Sequence, residues 1–476
     1  MSPSGTGARE REEQVKRQIV RADVNGVAAG APSGLVRRVE IDRPRVRPVP
    51  SCVSYSAWVS AHPRYASAAI DVVTGGAALA DHEAARRAAI GEAVERYCAN
   101  VVPADLPTRS FRALRREGAD AVDPREFALY SPSQYAHRGF PFVAPTPDLE
   151  IAWTPGRALT GGGEILVPAS LVYVNYFRGA RAAEPPTNYP VLAGTAAGTS
   201  PPEATVAALE EVLERDAVTL WWLSGAPATA GTEPATPGPL ATALTEAERA
   251  GLRVSLLRVP STFDVNVAGV FVEDPARRLV GFGSACRPTW EAAVAKAFTE
   301  ALGTHEASLD LLDGEGPYWT AVRAGKITRD PYRPHRRDRA HLDDFRPDLR
   351  DVNDVRLHLQ LYLDPRAQDQ RLDRLRRPAP ARTGPADIPA GTAERLGHYL
   401  GLLAGRGLRA VAVDLTLPEA AGLSVVRVVV PGLYSNAPAA FPFLGGERLY
   451  REPAARGWTP RPLTEDDLVR DPLPFS

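Results

Sequence analysis

The stretch that decides the fold is Ala193–Trp222, AGTAAGTSPPEATVAALEEVLERDAVTLWW. Ser200 is followed by two prolines, which is typical of a helix start, because serine caps free backbone amides and proline fits the first turn. Small and apolar residues then continue without a helix breaker. The sequence therefore predicts a long, mostly apolar helix from Glu203 to about Trp222, with a few charged residues set into it.

Those charged residues form an E-x-x-E-R pattern that also occurs in a helix predicted to begin after Asp81. Residues three or four apart share a helix face, so each helix presents two carboxylates and one guanidinium on one side. Magnesium binds carboxylate and phosphate oxygens, and arginine donates paired hydrogen bonds to phosphate. The pattern indicates a magnesium–nucleotide site if the helices face one another. The alternative is that these side chains simply pair on solvated helix faces. The two copies comprise Glu92, Glu95, Arg96, Glu211, Glu214 and Arg215.

The remaining elements alternate between helix and strand, which predicts a mixed α+β fold. A helix after Thr289 carries Lys296 and Glu300, which taken alone are an ordinary pair four residues apart. Another helix is predicted at Ala393–Ala404. We interpret residues 1–18 as a disordered tail and 19–470 as the main domain, with surface linkers near 225–239 and 375–389. Strands are predicted at Ser51–Val59, Ile165–Tyr176, Arg253–Arg258, Val265–Val272, Leu279–Phe282, Arg409–Asp414 and Ser424–Val430.

Composition excludes several classes of protein. The 476 residues include 56 basic and 57 acidic side chains, a balance that argues against a protein coating nucleic acid or a membrane surface. The three cysteines are widely spaced and form no CxxC, which favours a reducing cytoplasm. P-loop, G-x-G-x-x-G, G-x-S-x-G and H-E-x-x-H motifs are missing. The histidines are scattered, and His305 is expected near a helix C-terminus and not as a ligand.

Four segments resemble the YcaO-domain family. The first is TGGAALADHEAARRAAIGEAVERYCA at Thr74–Ala99, and the most specific is Ala193–Trp222. The third is WEAAVAKAFTEALGTHEA at Trp290–Ala307. Within Ala410–Tyr450 the closing pattern contains DLT, VRVVVPG and GGERLY. The resemblance covers roughly residues 20–476.

The resemblance implies a YcaO-type fold with an ATP site between helices packed on β-sheets, and it implies ATP and Mg²⁺ binding without a P-loop. By position, magnesium would be held by Glu92, Glu95, Glu211 and Glu214. The nucleotide would also contact Arg96, Arg215 and Glu300. In the heterocyclase branch, a Cys, Ser or Thr side chain of a substrate peptide attacks the preceding carbonyl. ATP then phosphorylates the resulting oxyanion, and loss of phosphate leaves an azoline ring.

The C-terminus resembles the P-x-P-x-P tail of heterocyclases that reaches the active site. Pro472, Pro474 and Ser476 occupy the matching positions, with serine in place of the last proline. The resemblance implies a catalytic role for these residues and so favours an azoline-forming cyclodehydratase. Because proline restricts φ and lacks an amide donor, we expect Asp471–Ser476 to be extended. We also expect this terminal strip to contribute few core contacts.

The expected partners are a precursor peptide, a ThiF-like leader-binding protein and a flavin-dependent azoline dehydrogenase. The leader-binding protein is expected to be separate because no such module fits in this length. We also expect a homodimer, and we expect no binding to nucleic acid or to a membrane. The closest alternative is thioamide formation at the same amide with a sulfur-delivering partner.

Three departures from the family pattern support a further alternative. Gly75–Ala78 lacks the usual lysine, Ala88 stands where serine is common, and Gly303 where glutamine is common. Each departure removes an expected nucleotide contact. A degenerate, non-catalytic scaffold subunit is therefore the other alternative, although the complete set of E-x-x-E-R residues argues against it.

Overall fold

The structure is a computed structural model that describes residues 35–43, 46–59, 73–420 and 422–475. The predicted disordered tail at residues 1–18 and the expected role of Ser476 lie outside the described residues. Within these ranges helices alternate with antiparallel sheets, which confirms the mixed α+β class.

The strands, in chain order, are β1 Val36–Ile41, β2 Cys52–Val59, β3 Val73–Leu79, β4 Thr108–Ser110, β5 Glu150–Ala158, β6 Glu164–Pro168, β7 Thr195–Gly198, β8 Thr229–Ala230, β9 Arg253–Arg258, β10 Asn266–Asp274, β11 Leu279–Arg287, β12 Val411–Asp414 and β13 Ser424–Val429. The α-helices are α1 His82–Asn100, α2 Phe111–Arg116, α3 Pro132–Ala136, α4 Pro201–Ser224, α5 Pro239–Arg249, α6 Trp290–Leu312, α7 Pro317–Arg323, α8 Leu357–Leu361, α9 Pro365–Arg371, α10 Asp373–Arg376, α11 Thr392–Ala404 and α12 Arg448–Ala455.

The strands form three sheets with antiparallel neighbours. One sheet has the order β1-β2-β3 and a second the order β11-β10-β9-β8. The third has the order β4-β5-β12-β13-β7, with β6 added beside β5. Helix α1 packs on β2 and β3, α4 packs on β7, β11 and β13, and α6 packs on β10 and β11. Helix α4 therefore lies between two of the sheets and anchors the largest buried core.

Each of these three long helices begins at the cap that its sequence predicts. The side chains of Asp81, Ser200 and Thr289 each accept a hydrogen bond from a backbone N–H in the first turn. Helix α4 is buried along almost its whole length, including both tryptophans at its end. The apolar run thus reflects a helix enclosed on several sides.

Two glycines allow helix and strand backbones to touch directly. A Cβ at Gly76 in β3 would collide with the backbone of Ala85 and Ala89 in α1. A Cβ at Gly283 in β11 would collide with the backbone of Ala297 in α6. The positions of α1 and α6 on their sheets are therefore fixed by main-chain contact.

Three sequence-based expectations differ from the structure. The predicted strand Ile165–Tyr176 ends at Pro168 and gives way to a 3₁₀ turn at Ala169–Leu171; the segment is apolar because it is buried, not because it continues as a strand. The two expected surface linkers also contain buried residues, including Ala226, Ala228 and Ile388. His305 lies within α6, where it is buried and pairs with Asp274 at 3.2 Å.

Within the described ranges, no helix combines the length and the apolar composition that are needed to cross a membrane.

Candidate active site

Helices α1, α4 and α6 surround a cavity of about 800 Å³. Strand β7 and the end of β11 complete its walls. The cavity brings together the seven residues that the sequence assigns to ATP and magnesium: Glu92, Glu95, Arg96, Glu211, Glu214, Arg215 and Glu300. The two E-x-x-E-R copies therefore face the same space and do not lie on separate solvated surfaces.

Helix α1 supplies one wall of the cavity. Arg96 donates a hydrogen bond from Nε to Glu92 Oε1 at 2.8 Å, and its Nη2 lies at the same distance from that oxygen. Burial raises the pKa of Glu95 well above its usual value, and neighbouring Glu92 raises it further despite the opposing effect of Arg96. A second carboxylate beside an enclosed one is costly, and a bound cation would offset that cost.

Helix α4 supplies the most enclosed carboxylate. Glu214 accepts hydrogen bonds from Ser284 Oγ at 2.7 Å and from the backbone N–H of Cys286 at 3.3 Å. Burial raises the pKa of Glu214 to about 7, although Arg215 acts in the opposite direction. Strand β11 thus holds Glu214 in place while leaving its charge only partly compensated.

The other two members of the α4 set are held more loosely. Glu211 accepts a hydrogen bond from the Gly194 N–H at 2.8 Å. The Arg215 guanidinium lies 3.7 Å from Glu211 and 3.5 Å from Glu214. Buried Arg215 Nε has no partner at hydrogen-bonding distance and geometry within the described residues. Because Arg215 lines the cavity, its guanidinium can donate to an anion bound there.

Helix α6 adds the pair noted in the sequence. Lys296 Nζ lies 3.1 Å from Glu300 Oε1, and both residues line the cavity. Ala77, which lies within the Gly75–Ala78 stretch that lacks the usual lysine, and Ala88, which stands where serine is common, also line the cavity. Gly303, the third such position, lines an adjoining cavity of about 570 Å³. The departures therefore fall at or next to the site, and the cavity keeps cationic and anionic side chains on all three helices.

The donor set fits magnesium held jointly with a nucleotide. Within the described ranges, no three His, Cys, Asp or Glu side chains are grouped so that they could hold a metal by themselves. Magnesium is usually bound by one or two carboxylates together with waters and substrate phosphates. Enclosed glutamates beside arginines supply that arrangement, and the sharing of a cation between the two helices stays a prediction.

The C-terminal tail contacts one residue of this cavity, Arg215. The Phe475 ring lies 5.5 Å from the guanidinium carbon of Arg215, and Pro474 O accepts a hydrogen bond from the Phe282 N–H at 3.1 Å. Pro472, Leu473 and Pro474 are buried, and Leu473 belongs to the core that contains α4. The expectation of few core contacts is therefore wrong, because the tail is packed into the protein before it reaches the site.

Sequence reasoning missed three polar residues of this region. Ser284 holds Glu214, and Arg287 lines the cavity from the end of β11. Arg427, which interrupts the apolar β13, is buried and donates to Leu192 O at 2.9 Å and to Thr195 Oγ1 at 2.8 Å. Its charge lies near those of Glu95 and Glu211. The sequence signal that could have indicated Arg427 is its position as a single charged residue within the apolar run Val425–Val430.

A family model described as YcaO cyclodehydratase, ATP- and Mg²⁺-binding, matches residues 77–434. The chain belongs to the YcaO family. This YcaO protein is 27% identical over 366 residues to an uncharacterized protein encoded in the tfuA 3′ region of Rhizobium leguminosarum bv. trifolii. The match covers 74% of this chain and 75% of that relative. The ATP and Mg²⁺ binding named in the family description agrees with the charged side chains of the cavity.

Two solved structures share the YcaO fold. A heterocyclase in complex with substrate and cofactor matches with a TM-score of 0.68 and 21% identity over 93% of this chain and 55% of that chain. This YcaO protein therefore spans about half the length of that heterocyclase. YcaO from Methanopyrus kandleri, bound with AMPPCP and Mg²⁺, matches with a TM-score of 0.52 and 20% identity over 92% of this chain and 95% of that chain. At these identities the likeness establishes the fold.

Proposed function

We propose that this protein is an ATP- and Mg²⁺-dependent cyclodehydratase that forms thiazoline or oxazoline rings in a ribosomally made peptide. The observation that carries the proposal is the meeting of both E-x-x-E-R sets and Glu300 in one cavity. The family description names ATP and Mg²⁺ binding and so agrees with that charge pattern.

The reaction has two linked parts. A Cys, Ser or Thr side chain of the peptide loses its proton and forms a bond to the preceding carbonyl carbon, which becomes an oxyanion. That oxygen takes the γ-phosphoryl group of ATP, and ADP leaves. Loss of the amide proton and of phosphate then forms the C=N bond of the ring. The carbonyl oxygen departs in the phosphate, so the peptide loses the atoms of one water per ring.

In this proposal the residues of the cavity bind and orient the nucleotide. Glu92, Glu95, Glu211 and Glu214 would hold magnesium, which neutralises phosphate charge and draws electrons from the transferred group. Arg96 and Arg215 would contact phosphate oxygens, where paired donors match the geometry of the anion. Helix α4 and β11 keep Glu214 at a fixed position, which favours one alignment of the reactants.

The tail is our reason for choosing ring formation over the sibling reaction. Its buried prolines precede Phe475, whose ring contacts Arg215, so the tail touches one residue of the proposed phosphate site. We propose that Pro472, Pro474 and Ser476 shape the place where the peptide amide meets the nucleotide. Packing fixes the segment before the peptide binds, and this lowers the entropy lost when the site assembles.

The proposed substrate is a precursor peptide presented by a separate leader-binding protein, and an azoline dehydrogenase would act on the product. The heterocyclase that shares the fold was solved in complex with substrate and cofactor. By analogy, we propose that the peptide and the nucleotide bind together in the cavity of this protein.

The deciding experiment incubates the full chain with Mg²⁺, ATP, candidate precursor peptide and leader-binding partner. We expect the peptide to lose the mass of one water per ring, with one ATP consumed for each loss. Omission of ATP or chelation of magnesium is expected to abolish the change. Hydrolysis of a ring in acid restores the mass of the water, and fragment masses of the product before hydrolysis identify the modified residue.

Other results would favour the alternatives. Exchange of one oxygen for sulfur, in the presence of a sulfide source, would indicate thioamide formation and contradict ring formation. Failure of the wild-type protein to bind magnesium–ATP would contradict an ATP-dependent enzyme and favour a scaffold subunit.

A further inference from the structure

One cation of the cavity differs from the others in where its carboxylate partner lies. The lining residues include Arg87, Arg96, Arg215 and Lys296, and each of these forms an ion pair with a glutamate that also lines the cavity. Arg287 instead pairs with Glu210 at 3.5 Å, and Glu210 is not among the lining residues. The carboxylate that pairs with Arg287 therefore lies outside the cavity.

Two further contacts fix the position of Arg287 and its partner. Arg287 Nη1 donates a hydrogen bond to its neighbour's carbonyl, Cys286 O, at 2.7 Å. Glu210 Oε1 accepts a hydrogen bond from Tyr399 OH at 2.9 Å. The side chain of Glu210 is 4% exposed, whereas that of Arg287 is 30% exposed. The carboxylate is thus a buried anchor, and the guanidinium keeps a face open to the cavity.

Glu210 is shared between two guanidiniums. Arg395, on α11, lies 3.3 Å from Glu210 Oε1. Arg395 does not line the cavity, whereas Arg287 does. Glu214 and Glu300 also act on the charge of Arg287 from within the cavity. Because the carboxylate nearest to Arg287 also serves Arg395, the exposed face of Arg287 can donate to an anion in the cavity.

We propose that Arg287 binds the phosphate chain of the nucleotide, and that Glu210 with Tyr399 positions it. The proposal rests on the proposed function, because it assumes that a magnesium–nucleotide enters this cavity. Guanidinium donors at the end of β11 would reach phosphate oxygens beside Cys286, whose backbone N–H holds Glu214. The end of β11 would then serve both the carboxylates and the phosphates of the site. The backbone of Cys286 would hold Glu214, and the side chain of Arg287 would bind phosphate.

The test compares two arginines that share one partner. Calorimetric titration of the full chain with Mg²⁺ and ATP is expected to show binding roughly ten- to hundredfold weaker for Arg287→Gln, the loss carried by a charge-assisted hydrogen bond. Arg395→Gln removes the other guanidinium from Glu210 and is expected to change the dissociation constant by less than about twofold. Adenosine, which lacks phosphate, is expected to bind equally to wild type and Arg287→Gln.

Further variants separate binding from folding. Arg287→Lys keeps the charge but not the paired donors, so we expect intermediate ATP affinity. Glu210→Gln leaves Arg287 present but less firmly held, so we expect weaker ATP binding that adds little to the loss in Arg287→Gln. Wild-type ATP affinity in Arg287→Gln would overturn the proposal, as would equal losses for ATP and adenosine. A wild-type protein that binds no magnesium–ATP would overturn the proposed function as well.

Discussion

The guanidinium carbon of Arg215 lies 5.5 Å from the centroid of the Phe475 ring, the distance of a cation–π contact. The contact joins α4 to the last described residue of the chain. The Phe475 ring also lies 6.2 Å from that of Phe282 in β11. The tail thus contacts both α4 and the sheet through the ring of Phe475.

Replacement of Phe475 by alanine tests whether this contact serves catalysis. The ring is only partly buried, so we expect the melting temperature to change by no more than a few degrees. Loss of the ring removes roughly 0.5–2 kcal/mol of cation–π attraction and frees the Arg215 side chain. We expect ring formation on the precursor peptide to slow about tenfold. Wild-type rates would exclude a role for Phe475.

Leu473 is the matched structural control within the tail. Its side chain is 4% exposed in the α4 core, and a buried leucine replaced by alanine costs about 2–5 kcal/mol of unfolding free energy. We expect Leu473→Ala to lower the melting temperature clearly more than Phe475→Ala does. Thermal denaturation measures both. Equal stability of the two variants would contradict the packed arrangement of the tail.

Replacement of Glu214 by glutamine tests the proposed magnesium site. The change keeps the shape and removes the charge of a carboxylate held by Ser284 and Cys286. We expect magnesium-dependent ATP binding to weaken at least about tenfold while the fold is retained. The control is Glu246→Gln, which removes a carboxylate bonded to Ser51 outside the cavity. Unchanged ATP binding in Glu214→Gln would refute the assignment of this glutamate.

Two glycine substitutions with opposite expected signs test the backbone contact between α6 and β11. In Gly283→Ala the added methyl meets the α6 backbone, so we expect a loss of about 1–3 kcal/mol of unfolding free energy. Gly401 lies exposed in α11 with no atom within 4 Å of an added Cβ. We therefore expect Gly401→Ala to gain roughly 0.5–1 kcal/mol. Denaturant unfolding reports both signs, and a stabilising Gly283→Ala would contradict the contact.

The stability of the protein should fall in mild acid partly because of His358. Burial lowers the pKa of His358 from 6.5 to about 4, although Asp354 and the Phe475 backbone act in the opposite direction. Between these pH values the unfolded chain binds a proton that the folded chain does not, so stability falls as the pH is lowered from 6.5 towards 4. The expected loss is at most about 1.4 kcal/mol per pH unit.

Comparison with His358→Gln isolates this contribution, because other buried histidines remain in both proteins. Glutamine can still accept the hydrogen bond that His358 Nε2 receives from the Ala439 N–H at 3.2 Å. We expect the fall in melting temperature between pH 7 and pH 5 to be smaller in the variant. Equal falls would show that His358 is protonated as readily in the folded state as in the unfolded chain.

Local signals were sufficient to predict the elements that carry the charged site. Asp81, Ser200 and Thr289 mark helix starts, and a cap acts on amides within the same turn, so the sequence nearby contains the whole interaction. The prediction of a strand over Ile165–Tyr176 was wrong after Pro168, because an apolar run indicates burial and not backbone conformation. Its continuation after Pro168 is buried in a turn.

The part of the site that sequence reasoning missed depends on contacts between distant segments. The role proposed for Arg287 depends on its ion pair with Glu210 on α4 and on the hydrogen bond from Tyr399 on α11 to Glu210. Nothing in the local sequence of any of these residues indicates that they meet. The E-x-x-E-R sets could be recognised because each is complete within one helix turn, although the cavity between them also required the packing of three helices.

The glycine contacts of α1 and α6 have a consequence for how such a site diverges. Because Gly76 and Gly283 let helix backbone rest on strand backbone, the span of the cavity is a property of the main chain. Surrounding side chains can drift in identity while the carboxylates keep their separation, which suits a fold shared at 20–21% identity. Smaller lining side chains would enlarge the cavity, whereas a change in the spacing of the helices would require movement of whole backbone segments.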